Sequence, residues 1–191
     1  MCRWPCRVKT LLAFLVLFSI TASAAELGGI QFPNSVQAEG KTLVLNGIGQ
    51  RVYSILRVPI YVAGLYLQHP SRDANAILTS SQVKLLLIKF QRDISAERAR
   101  AAWRTGFDNN CVAPCHLDPD SVARFLAAIP EIRAGDVYTF LFAPDGARVY
   151  ANNRPLGVIP RPQFAQAMLA TFLGPRPASV PLKEALLRGH A

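Results

Sequence analysis

From Leu43 to Leu67 the chain reads LVLNGIGQRVYSILRVPIYVAGLYL, three short runs of β-type patterning whose only charges are arginines. Leu43 and Leu45 alternate with smaller or polar neighbours and end a predicted strand over Val36–Leu45. Asn46-Gly47 then predicts a tight turn, because both residue types tolerate positive φ. Across Arg51–Val58 the period-two pattern puts Val52, Ser54, Leu56 and Val58 on one face. Arg51, Tyr53, Ile55 and Arg57 fall on the other. That second face, with an arginine at each end, fits either the border of a pocket or a half-wet surface. Pro59 interrupts the ladder, and Ile60–Leu67 resumes it with apolar residues on both faces, so this strand should be covered from both sides.

Downstream, Asp73 is placed to cap a short helix in which Ala74, Ile77 and Leu78 share a side. Val83–Phe90 alternates cleanly, with Val83, Leu85 and Leu87 against Leu86, Ile88 and Phe90. Ser95 caps a helix whose inner stripe is Ala96, Ala99, Trp103 and Phe107, and whose outer side carries Glu97, Arg98, Arg100 and Arg104. A polar loop is expected at Asp108–Cys111. Asp118-Pro119 opens a further helix with the stripe Val122, Phe125, Leu126 and Ile129, ended by Pro130. Asp136–Phe142, Ala147–Ala151 and Leu156–Ile159 read as a β-meander with turns at Pro144–Gly146 and Asn152–Pro155. Pro162 begins a helix with the stripe Phe164, Ala165, Met168, Leu169 and Phe172, stopped by Gly174-Pro175, and an amphipathic segment follows near Leu182–Leu187. Strands, helices, strands, helices predict an α+β fold with a mostly antiparallel sheet, covered largely on one face.

Composition narrows this to one folded domain. The 191 residues are half hydrophobic and only 17% charged, which suits a packed core and not disorder. Residues 1–24 read as an export signal. Arg3, Arg7 and Lys9 precede the apolar run Leu11–Ile20, and Ala22-Ser23-Ala24 is a small-x-small cleavage site. The run is short for a bilayer span, so a cleaved leader and a single domain over 25–191 are expected, with a periplasmic location and no transmembrane segment afterwards. Removing the leader's three cations from the 21 basic residues leaves 18 against 12 acidic ones, a net charge of +6. That excess is scattered, which is the pattern of a solvated surface, and export argues against a nucleic-acid partner.

Candidate chemistry is sparse. Cys111-Val-Ala-Pro-Cys115-His116 most simply closes a small disulfide loop in an exported protein. The alternative is a lengthened haem c attachment site with His116 as ligand, although nothing else resembles a cytochrome. Zinc would need more ligands than the isolated His69 and His190 provide, so no metal and no cofactor are expected. No Gly-x-Ser-x-Gly or triad context occurs. Gly47-Ile-Gly49 precedes a strand and so is not a phosphate loop. Asp118 and Asp120 are accounted for by capping. This inventory favours a binding or structural protein over a hydrolase or nucleotide enzyme.

Leu45-Asn-Gly-Ile-Gly-Gln-Arg51 followed by Val58-Pro-Ile-Tyr-Val-Ala-Gly-Leu-Tyr66-Leu resembles the bacterial branch of the chalcone isomerase-like domain family. The similarity runs from Gly29-Ile-Gln-Phe-Pro33 through Phe90–Glu97 and Gly135–Tyr138 to Leu156–Pro160 and the helix ending at Gly174. The resemblance implies an open-faced β-sandwich, a large antiparallel sheet with a layer of helices packed on it. In plant enzymes of this fold an arginine stabilises the oxyanion as a chalcone cyclises, helped by threonine, tyrosine and asparagine. Non-catalytic relatives bind fatty acids with the same arginine.

Carried onto this chain, that arginine is Arg51, while the helper positions fall near Val62, Ile94, Ala101 and Ala165, all aliphatic. The resemblance therefore implies a binder of an apolar anionic ligand such as a fatty acid, held by Arg51, Tyr53 and Val62. The alternative is an isomerase or intramolecular lyase, with Arg51 as electrophile and Tyr53 or Tyr61 as acid. A purely structural Arg51 is the remaining reading.

Overall fold

The computed structural model describes residues 24–53 and 56–189. The predicted leader up to Ser23, with Cys2 and Cys6, lies outside the described residues, as do Ser54, Ile55 and His190. A short hairpin, β1 (Ala24–Leu27) and β2 (Ile30–Pro33), precedes a seven-stranded antiparallel sheet. Its strands lie side by side in chain order: β3 (Ser35–Ala38), β4 (Lys41–Tyr53), β5 (Val58–Leu67), β6 (Lys84–Phe90), β7 (Val137–Ala143), β8 (Gly146–Ala151) and β9 (Arg154–Ile159). Helices α1 (Ala74–Thr79), α2 (Ala96–Asn110), α3 (Pro119–Ala128), α4 (Pro162–Leu173) and α5 (Val180–Leu186) complete the fold, a large antiparallel sheet with helices packed on it. No helix among the described residues is long and apolar enough to cross a membrane.

The alternation of β6 separates two cores. Leu86, Ile88 and Phe90 join the helix-side cluster with Phe107, Phe164 and Met168. Val83, Leu85 and Leu87 join Phe32, Leu43 and Tyr66 on the other face. Both faces of β5 are covered, as its doubly apolar pattern requires. Asp73, Ser95 and Asp118 cap α1, α2 and α3 with side-chain oxygens that accept from first-turn N–H groups.

Four local expectations are corrected. Asn46-Gly47 is not a turn: β4 runs through it, and the reversal before β4 is at Glu39-Gly40, both with positive φ. Asn46 is instead a bulge, since Leu45 pairs with Tyr66 and Gly47 with Leu65. Pro59 lies inside β5, tolerated because the register shifts between Arg51–Tyr61 and Val52–Pro59. Helix α2 continues to Asn110, whose amide donates to Gly106 O and whose oxygen accepts from Arg176 N. Helix α4 is buried on nearly every side and not along one stripe, because α1, α2, α5 and the sheet surround it.

Candidate functional site

The bulge at Asn46 decides where Arg51 points. Leu43 and Leu45 face the cluster away from the helices. One inserted residue flips the parity, so Gly47 and Gly49 pack beneath α5, and Arg51 and Tyr53 continue on that helix side. Added Cβ atoms would meet the Ala185 and Leu186 carbonyl oxygens at Gly47, and Leu182 and Ala185 side chains at Gly49. These glycines therefore let α5 seat against β4 just before the arginine.

Arg51 reaches a cavity of about 630 Å³ between the sheet and α2, within the usual range for small-molecule sites. The exposed residues Tyr53, Arg92, Asp93 and Arg98 mark its mouth. Ile88, Phe90, Ile132, Phe140 and Phe172 form its buried apolar wall. Trp103 of α2 also lines it, and its ring packs 5.1–5.8 Å from those of Phe107, Phe125, Phe140 and Phe172.

Tyr61 lies directly across from Arg51 on β5. The guanidinium sits 6.0 Å from the Tyr61 ring centre. Burial raises the Tyr61 pKa and outweighs the opposing pull of the Arg51 charge and hydrogen bond. The phenol thus stays protonated. Both the Tyr61 O–H and the Arg51 guanidinium belong to residues that line the cavity, so an anion here would meet two donors. Tyr61 stacks edge-on against Phe90, and Phe90 against Tyr138. The Tyr138 hydroxyl is buried with no protein partner, and burial, aided by Asp136, pushes its pKa up to about 12. Among the described residues Arg51, Arg92 and Arg98 form no ion pair. Asp93, in contrast, is held by Arg133 at 3.6 Å and by the Ala134 N–H.

A family model described as chalcone isomerase-like matches residues 24–188. The chain belongs to the chalcone isomerase-like family. Its fold is also that of a fatty-acid-binding protein of Arabidopsis thaliana, with a TM-score of 0.71 at 14% identity, over 86% of this chain and 96% of that one. At that identity the likeness establishes the fold. Comparison with curated proteins finds no match.

Within this chalcone isomerase-like domain the expected site residues separate. Arg51 and Tyr53 line the cavity together. Val62 does not: it is fully buried on the opposite face beside Phe32, because successive strand residues point to opposite sides. Of the other helper positions Ile94 lines the cavity, Ala101 is exposed, and Ala165 lines a separate pocket beside α1. The hydroxyls that do line it belong to Tyr53, Tyr61, Tyr138 and Thr171. Thr171 donates its hydroxyl hydrogen to Met168 O. The pairing of Tyr61 with Arg51 was readable only once the strand register was known. Cys111 and Cys115 form a disulfide in the loop between α2 and α3, and neither lines this cavity.

Proposed function

We propose that this protein is an exported, non-catalytic binder of a small apolar anion such as a fatty acid. The observation that carries the reading is a guanidinium with no carboxylate partner among the described residues, opening onto a cavity of about 630 Å³ whose buried wall is apolar. The chain would pack in the interior, with the head group on Arg51 and Tyr61. Lipid extraction and mass spectrometry of the purified protein should recover a co-purifying carboxylate, and Arg51→Ala should lose it. An empty wild-type cavity without fatty-acid affinity would sink the proposal. Export and periplasmic residence rest on the leader pattern. N-terminal mass analysis of protein from the periplasmic fraction should find the chain starting near Ala25.

A second reading, an isomerase or intramolecular lyase, draws support from the protonated Tyr61 beside Arg51. It predicts measurable cyclisation of naringenin chalcone that falls in Tyr61→Phe.

A further inference from the structure

Neither helix stability nor ion pairing accounts for two of the arginines at the cavity mouth. Arg98 stands in the first turn of α2, where the helix dipole opposes a cation, and Arg92 lies in the short connection from β6 to α2. Both are exposed, and neither forms an ion pair among the described residues. Glu97 precedes Arg98, but adjacent helix residues do not face each other, and Glu97 is outside the cavity lining. The acid that does line the cavity, Asp93, is held by Arg133 at 3.6 Å and by the Ala134 N–H at 2.8 Å. With the half-buried Arg51 of β4, three separate elements thus bring three arginines to one cavity. A single carboxylate offsets one of those charges. A phosphate monoester carries about two at neutral pH on three terminal oxygens, which guanidinium forks engage two at a time.

We propose that the head group this cavity takes is a dianion, a phosphate monoester on an apolar chain. Arg51 holds it from the half-buried side, Arg92 and Arg98 from the mouth, and the chain lies against Phe90, Phe140 and Phe172. This step rests on the amphiphile-binding reading and narrows its head group, with a fatty acid as the weaker of the two ligands.

Isothermal titration of the purified protein at neutral pH compares laurate, dodecyl phosphate, methyl dodecyl phosphate and inorganic phosphate. An exposed ion pair is worth up to about fivefold in affinity, so with two more arginines engaged dodecyl phosphate should bind at least about tenfold more tightly than laurate. Methyl dodecyl phosphate, with the same chain and one charge, should fall back to about the laurate level. Inorganic phosphate should bind at least about a hundredfold more weakly than dodecyl phosphate, because it leaves the apolar wall empty. Arg92→Gln and Arg98→Gln should each shrink the phosphate-to-laurate ratio by about two- to fivefold. Arg104→Gln, which removes the same charge from α2 outside the cavity lining, should leave that ratio unchanged. A wild-type ratio near one, or a ratio that Arg92→Gln and Arg98→Gln leave intact, overturns the dianion assignment while the amphiphile reading stands. Inorganic phosphate as tight as its dodecyl ester overturns the apolar chain instead. Failure of both laurate and dodecyl phosphate to bind removes the amphiphile reading and the proposal with it.

Discussion

Replacing Asn46 by alanine should unfasten α5 from the sheet. The Asn46 side chain is fully buried and makes three bonds to backbone. Its amide donates to Ser71 O at 3.0 Å and to Leu186 O at 2.8 Å, and its oxygen accepts from Ser71 N at 2.9 Å. Alanine removes all three. Ser71 is partly exposed and can regain water, so its two groups should each cost about 1 kcal/mol, while the Leu186 carbonyl is stranded in the core at about 1–3 kcal/mol. The sum, roughly 3–5 kcal/mol, is a large part of the stability of an ordinary domain. It should lower Tm by on the order of 10 °C. Asn46→Asp is the sharper test. It keeps the acceptor for Ser71 but turns a carboxylate oxygen toward two carbonyls, so at neutral pH it should be worse than alanine. That carboxyl's folded pKa would be raised above its unfolded value, so this variant's stability should fall as pH rises through the raised value. Urea unfolding from pH 4 to 8 measures both effects. An alanine variant within about 1 kcal/mol of wild type, or an aspartate variant with no pH slope, would refute the latch.

Three further outcomes are expected. Arg51→Ala should weaken carboxylate binding by about 10- to 150-fold, the worth of a charge-assisted hydrogen bond, and Tyr61→Phe by only about fivefold; equal losses in a fluorescence titration would contradict the assigned roles. Tyr61, Tyr66 and Tyr138, three of the five tyrosines, have folded pKa values raised by burial above the ordinary 10. Their contribution is full below pH 10 and lost as pH rises through the raised values, so in a tyrosinate absorbance titration these three should ionise only as the near-UV circular dichroism collapses. Cys111 and Cys115 are four residues apart, so replacing both by serine should cost about 2 kcal/mol by loop entropy in thermal melts; no change would mean that this loop is not coupled to folding.

The parts of the fold legible in the sequence are those where one local rule acts alone. The alternation of β6, the caps at Asp73, Ser95 and Asp118, and the meander turn at Pro144–Gly146 stand as the pattern implies, while the turn expected over Asn152–Pro155 narrows to Asn152-Asn153 because Arg154 and Pro155 already pair within β9. What hid the site was parity. A bulge adds one residue without changing composition, so the odd-numbered Leu45 and Arg51 end on opposite faces of one strand. Asn46-Gly47 has the composition of a turn, yet here asparagine supplies a buried amide and glycine a gap for α5. The same parity removes Val62 from the cavity and brings in Tyr61, which no count along the sequence could pair with Arg51.

The cavity's polar groups also bear on what chemistry could occur there. General-base catalysis needs a group with a pKa near the working pH within reach of the substrate proton. Among the described residues no histidine lines this cavity, the one lining carboxylate is held by Arg133 and the Ala134 N–H, and the Tyr61 and Tyr138 phenols are shifted away from neutrality. Donors are present where an acceptor of protons is not. Such a site suits an anion that arrives already ionised. If it cyclises a chalcone at all, the attacking phenolate must form in water, and Arg51 and Tyr61 can only stabilise charge that shifts along the substrate. The rate should then rise with pH along the substrate's own phenol ionisation, and it should move when a substrate of different phenol acidity is used. A bell-shaped profile anchored near pH 7 and indifferent to the substrate would reveal a protein base, and the binding site described here would have to be an active site instead.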